Sequence, residues 1–189
     1  MSVATAIPVR RSTIEDLLRV PEKAELVRGR IVRFMATGHR PNIVAGRIFR
    51  SIADYCDVPG RGFAYTDMMG FAVPELTSGR ESFSPDTSYY SGPAPARPMR
   101  FVEAAPDFAV EVRSENDYGP AAERDMAAKR RDYFEAGTRV VWDADPEAGT
   151  IRMYRADAPE QAVLFSAGQK ANAEPAAPGW TVSVDWLMA

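Results

Sequence analysis

The sequence predicts an α/β fold of the α+β kind, a mixed β-sheet flanked by helices, in one domain. Three observations carry that expectation. Residues 105–136 pass from a short alternating run into a long helical pattern, so a strand feeds a helix. A second amphipathic pattern over 42–56 precedes several strand-like segments. Residues 138–155 read as two strands about an Asp145-Pro146 turn. No internal repeat is visible, and 189 residues suffice for one core.

The elements follow in order. Residues 1–11 are expected to form a flexible N-terminal arm, ahead of a single domain over 12–189. Ser12-Thr13 followed by Glu15 and Asp16 supplies a polar cap and early acids, so a short helix runs to Val20 and stops at Pro21. Residues 24–34 read as two short strands about a glycine-containing turn. Pro41 stands in the first turn of the next helix, whose apolar stripe is Ile43, Val44, Ile48, Ile52 and Tyr55. Residues 62–73 read as one strand bulged at Gly70, and residues 82–90 as another, with Pro85 marking an edge or a start. The prolines of 91–98 mark a loop. In the central strand Phe108, Val110 and Val112 fall on one parity and Asp107, Ala109, Glu111 and Arg113 on the other, giving an apolar and a charged face. The following helix carries a stripe of Ala122, Met126, Tyr133 and Ala136, with Lys129 filling its gap. Residues 162–165 form a short strand, 168–178 a loop, and 180–187 a last strand or short helix.

Composition narrows the chemistry. Cys56 is the only cysteine and His39 the only histidine, which excludes internal disulfides, cysteine zinc cages and the usual histidine triads. Acid–base and metal work must therefore run through carboxylates, lysine, tyrosine or arginine. No apolar run is long enough for a bilayer and residues 1–12 lack a secretory core, so no membrane association and a cytoplasmic location are expected. The net charge of −3 is uneven: residues 1–56 hold 10 basic and 5 acidic side chains, leaving −8 for the rest. Arg40 and Arg47, with His39 near a helix start, suit a phosphate backbone, although a solvated face or a capping histidine explains them equally.

Lysine is scarce, three against twenty arginines, so Lys129 on an inward-looking helix face stands out. An ion pair with Asp125 is the plain explanation. The other is a metal-dependent phosphodiesterase site. Two aspartates compete as partners of Glu111. Asp107 lies four strand residues away, roughly 13 Å between Cα atoms, too far to share an ion whose ligand oxygens lie about 2.1 Å away. Asp86 sits on a separate segment; if the two strands pair, it meets Glu111 across the ladder and both bind one Mg²⁺. Arg113 shares the strand face of Glu111 and can steady negative charge, but it cannot act as a base. Lys129 among apolar groups can have a depressed pKa and serve either role. Glu25 lies on a strand face whose environment the pattern does not fix.

The ordered set Glu25-Leu26-Val27-Arg28-Gly29, Pro85-Asp86, Ala105-Pro106-Asp107-Phe108-Ala109-Val110-Glu111-Val112, Lys129, Tyr133, Gly137, Trp142 and Asp145-Pro146 resembles the prokaryotic "putative restriction endonuclease" family, a domain of unknown function similar in fold to the PD-(D/E)xK nucleases. The resemblance runs from about Thr13 to Arg155. It implies a restriction-endonuclease-like core of order α-β-β-β-α-β. It also implies that Pro85-Asp86 is the PD element, Glu111 the second acid, Lys129 a lysine moved onto the next helix, and Glu25 the N-terminal acid. The usual motif places lysine two residues after the acid, where this chain has Arg113, so two cations compete for one role. The expected activity is a Mg²⁺- or Mn²⁺-dependent DNA endonuclease, with Asp86 and Glu111 as metal ligands, and by analogy a homodimer because two strands must be cut. The alternatives are a catalytically inactive nuclease-fold module that binds nucleic acid or a protein partner, and a pocket for a phosphorylated ligand.

Overall fold

The computed structural model describes residues 10–189. Most of the expected N-terminal arm lies outside them; Arg10 pairs with Asp16, and Arg11 with Glu75 and Glu81. Thr13 caps α1 (Ile14–Leu17): its hydroxyl accepts from the Asp16 N–H, and Asp16 accepts from the Thr13 N–H. β1 (Ala24–Val27) and β2 (Arg30–Arg33) form an antiparallel hairpin, Arg28 and Gly29 taking the positive φ of 53° and 66° that its two-residue turn demands. α2 (His39–Cys56) buries Val44, Ile48 and Ile52. Ile43, predicted in that stripe, is instead exposed.

Two predicted strands are each broken in two. Residues 62–73 become β3 (Phe63–Thr66) and β4 (Phe71–Ala72), because the chain turns out at Asp67 and Met68, the latter with φ 71°. Residues 82–90 become β5 (Ser82–Phe83) and β6 (Thr87–Tyr90), since Pro85 has no N–H to give a ladder. β4 pairs with β5 in a small separate sheet, while β3 pairs with β6. Then come β7 (Phe108–Val112), α3 (Pro120–Ala136), β8 (Val140–Asp145) and β9 (Thr150–Arg155). β10 (Ala158–Phe165) is longer than predicted, β11 (Lys170–Asn172) lies inside the predicted loop, and the last segment is both β12 (Thr181–Ser183) and α4 (Val184–Met188).

The main sheet runs β10-β9-β8-β7-β6-β3. Only β7 and β8 are parallel, with α3 as the crossover between them. In chain order α2, β3, β6, β7, α3 and β8 give the expected α-β-β-β-α-β core, with β4 and β5 as an insertion. One sheet face packs Phe108, Val110 and Val112 against α2 and the Trp142–Trp180 cluster. The other packs Ala109 and Val141 against Phe71, Phe83 and Tyr133. The predicted charged face of β7 is therefore covered as well, because α3 and the β4–β5 hairpin close over it. Glu111 is the polar side chain left under that cover, and this placement makes the site.

Candidate active site

β7 and β6 pair antiparallel with Thr87 opposite Val110, which sets Asp86 across from Glu111. The Asp86 N–H donates to the Val110 carbonyl at 3.0 Å, and the Val112 N–H donates to Asp86 Oδ2 at 2.8 Å. The carboxylate is thereby fixed beside the backbone of Glu111. From α3, Lys129 and Tyr133 are one turn apart and point the same way. Lys129 Nζ lies 2.9 Å from Glu111 and 3.1 Å from Glu25 Oε1, and the Tyr133 hydroxyl donates to Glu111 Oε1 at 2.6 Å. Tyr133 is wedged by stacking on Phe83, ring centroids 4.2 Å apart.

β1 adds a support layer. Glu25 is only 1% exposed and accepts from the Ser84 N–H at 2.9 Å and from the Arg80 guanidinium. Arg80 Nε also donates to Asp132 Oδ2 at 2.8 Å, which ties α3 to the β4–β5 insertion. Just ahead of β1, Lys23 Nζ lies 2.6 Å from Asp86 Oδ1 and 2.6 Å from Asp67 Oδ1. The ring of Phe34 sits 5.9 Å from the Lys23 ammonium and 5.5 Å from that of Lys129.

The electrostatics follow from this packing. Burial pushes the Glu111 carboxyl up, and the neighbouring Asp86 charge adds to that against the pull of Lys129. Burial also acts on Glu25, but Lys129, Arg80 and the Ser84 N–H outweigh it and hold the carboxyl below its ordinary value. For Lys129 burial lowers the pKa, and Glu111 and Glu25 together more than reverse it. The depressed lysine that the sequence allowed is thus replaced by a firmly protonated one, because two acids rather than an apolar pocket surround its head.

Of the predicted site residues the structure brings together Asp86, Glu111, Lys129 and Glu25. Lys129 is paired to Glu111 and Glu25 rather than to Asp125. Arg113 goes elsewhere: it is 3% exposed and spends its guanidinium on Asp143, at 2.7 and 2.6 Å, and on Glu123. The strand ends at Val112, so the parity that placed Arg113 beside Glu111 no longer applies. His39 opens α2, whose next residues Pro41, Asn42 and Ala45 line a small cavity of about 20 Å³ with Asp67, Asp86 and Val112. Arg40 and Arg47 lie on a different face of α2 and donate to the carbonyls of Met188, Leu187 and Ala189. Asp107 accepts from the Ser91 N–H and hydroxyl at the strand entrance.

Sequence reasoning missed Lys23, Asp67, Arg80 and Asp132. The scarcity of lysine that singled out Lys129 also applied to Lys23. Arg80 and Asp132 carry no such signal, since arginine is abundant and both stand in polar surroundings.

The donor set suits a hard divalent cation. Asp86 and Glu111 offer carboxylate oxygens from neighbouring strands, and Mg²⁺ is commonly held by one or two carboxylates with water and phosphate completing its shell. The five acids Asp67, Asp86, Glu111, Glu25 and Asp132 face three cations, Lys23, Lys129 and Arg80, so the cluster has a formal charge of −2. Among the described residues no group of three or more His, Cys, Asp or Glu side chains forms a ready cage.

A mixed sheet between helices, with paired acids and a lysine at the β6–β7–α3 junction, defines a nuclease-like fold. The chain belongs to the Uma2 family, described as "Putative restriction endonuclease", whose model matches residues 14–185. Among solved structures it is similar to a "putative nuclease belonging to DUF820" from Anabaena variabilis, with a TM-score of 0.72 at 19% identity over 96% of this chain and 98% of that one. No curated protein matches it. Among the described residues no helix is long and apolar enough to cross a membrane.

Proposed function

We propose that this protein is a Mg²⁺- or Mn²⁺-dependent endodeoxyribonuclease. The observation that supports the reading is the meeting of Asp86, Glu111 and Lys129 from three separate elements. Asp86 and Glu111 would hold the cation, which when bound supplies Lewis acidity toward a phosphate and acidifies coordinated water. Tyr133 and Lys129 orient Glu111 through its two oxygens, while the Val112 N–H orients Asp86. Lys129, held between Glu111 and Glu25, would stabilise negative charge growing on the phosphate. Glu25 holds Lys129 in place and acts through it. The start of α2 borders the cavity beside Asp86, and His39 there would meet a DNA phosphate. Arg113 serves the fold, and Arg40 and Arg47 would meet DNA only where their remaining donors stay free. A homodimer would present one site to each strand.

The test is nicking of supercoiled plasmid with Mg²⁺ or Mn²⁺ and with EDTA. Asp86→Asn, Glu111→Gln and Lys129→Ala are each expected to lower cleavage at least about a hundredfold, with circular dichroism showing a folded protein. Normal cutting by all three would place the chemistry elsewhere. Metal-independent DNA binding without cleavage by the wild type would instead favour a non-cutting module, a reading supported by the pairing of both acids with lysines.

A further inference from the structure

The sequence-level site has one lysine, and the structure has two. Lys23 is anchored ahead of β1, where its carbonyl accepts from the Phe34 N–H at 2.9 Å, and its side chain is 15% exposed. Its ammonium lies 2.6 Å from one oxygen of Asp86 and 2.6 Å from one oxygen of Asp67. Those oxygens are therefore no further apart than twice that distance. A single positive charge already spans two carboxylates, one of which is a proposed metal ligand. The remaining Asp86 oxygen is taken by the Val112 N–H. A cation that binds Asp86 must compete with Lys23 for the same carboxylate.

We propose that Lys23 is a built-in counter-ion of the acid site, bridging Asp67 and Asp86 until a divalent cation displaces it from Asp86. The inference rests on the metal reading above and deepens it. Without a counter-ion, Asp67, Asp86 and Glu111 would repel one another at one end of β6 and β7. Lys23 relieves that repulsion in the metal-free protein and, by the same charge, weakens metal binding. The Phe34 ring beside it gives the displaced ammonium an apolar and π-rich surface to rest on.

The experiment is Mn²⁺ binding by calorimetry and by the loss of the free-ion electron paramagnetic signal, on wild type, Lys23→Met, Lys23→Gln and Lys23→Arg. Melting temperature is followed in EDTA and in Mn²⁺. Removing the competing charge is expected to tighten Mn²⁺ binding roughly tenfold or more in the Met and Gln variants, while the Arg variant stays near wild type. The Met and Gln variants are expected to melt lower in EDTA and to regain most of the loss with Mn²⁺. Unchanged or weaker Mn²⁺ binding in a folded Met or Gln variant, beside a wild type that binds, overturns the role of Lys23 and leaves the metal reading standing. A melting loss that Mn²⁺ does not reverse shows a purely structural ion pair and overturns it too. If neither wild type nor variants take up Mn²⁺, both the inference and the metal reading fall.

Discussion

Tyr133 is the residue that fastens the helix to the acid. Its ring is fully buried and stacked on Phe83, while its hydroxyl reaches out of the core to Glu111. Burial together with the charges of Glu111 and Glu25 pushes the phenol well above its ordinary value, so it stays a donor. Tyr133→Phe keeps the ring and deletes only that donor. It is expected to cost about 1–3 kcal/mol in urea unfolding, because Glu111 loses one of its two partners. A loss within error would mean that water replaces the hydroxyl without penalty. Lys129 belongs to the same logic: its position in the helical stripe was legible from spacing, but its partners were not. The spacing put Asp125 one turn away on the same helix, whereas Glu25 is 104 positions earlier in the chain and reaches Lys129 only through packing of β1.

At the scale of elements, β7 and α3 could be read from the sequence because each keeps one period along its length, with Lys129 standing in the α3 stripe. β3 and β6 could not be read cleanly. Both are interrupted by residues that satisfy local rules for a bulge or a strand start, and only pairing decides where each piece goes. β3 runs along β6 with Phe63 opposite Tyr90. At its start Gly62 has φ 81°, and a Cβ there would stand 2.3 Å from the Tyr90 carbonyl oxygen. Gly62→Ala thus meets both a left-handed backbone and a backbone clash, neither of which a side-chain rotation relieves. A loss of about 2 kcal/mol or more is expected in urea unfolding. A neutral result would show that the β3–β6 edge gives way easily. Because Asp67 follows β3 and Asp86 precedes β6, a loosened edge should also disturb the Lys23 bridge.

For the molecule as a whole, most acidic side chains are exposed, whereas Glu25 is buried between Lys129 and Arg80. That makes stability depend on pH through Glu25. In the unfolded chain its carboxyl titrates near the ordinary 4.5; in the fold, burial raises it but Lys129 and Arg80 hold it lower. Its contribution is complete above the unfolded value and disappears as pH falls through the folded one. Glu25→Gln is expected to lower stability near neutral pH by about 3 kcal/mol, since two buried cations lose a partner, and to flatten the acid limb of the urea midpoint against pH. Acid limbs of equal slope in wild type and variant would assign the acid sensitivity to other carboxylates.

The amino-acid order alone determined the central succession α2, β7, α3, β8 and β9, it favoured Asp86 over Asp107 by strand spacing, and it singled out Lys129 by rarity. Each is a matter of period, spacing or rarity along the chain. Only the fold decided that Glu25 is buried beside Lys129, that Arg113 is tied to Asp143 and Glu123, and that Lys23 joins the acids. Those are meetings of segments far apart in the chain, and no local preference encodes which side chains burial will force to share a charge.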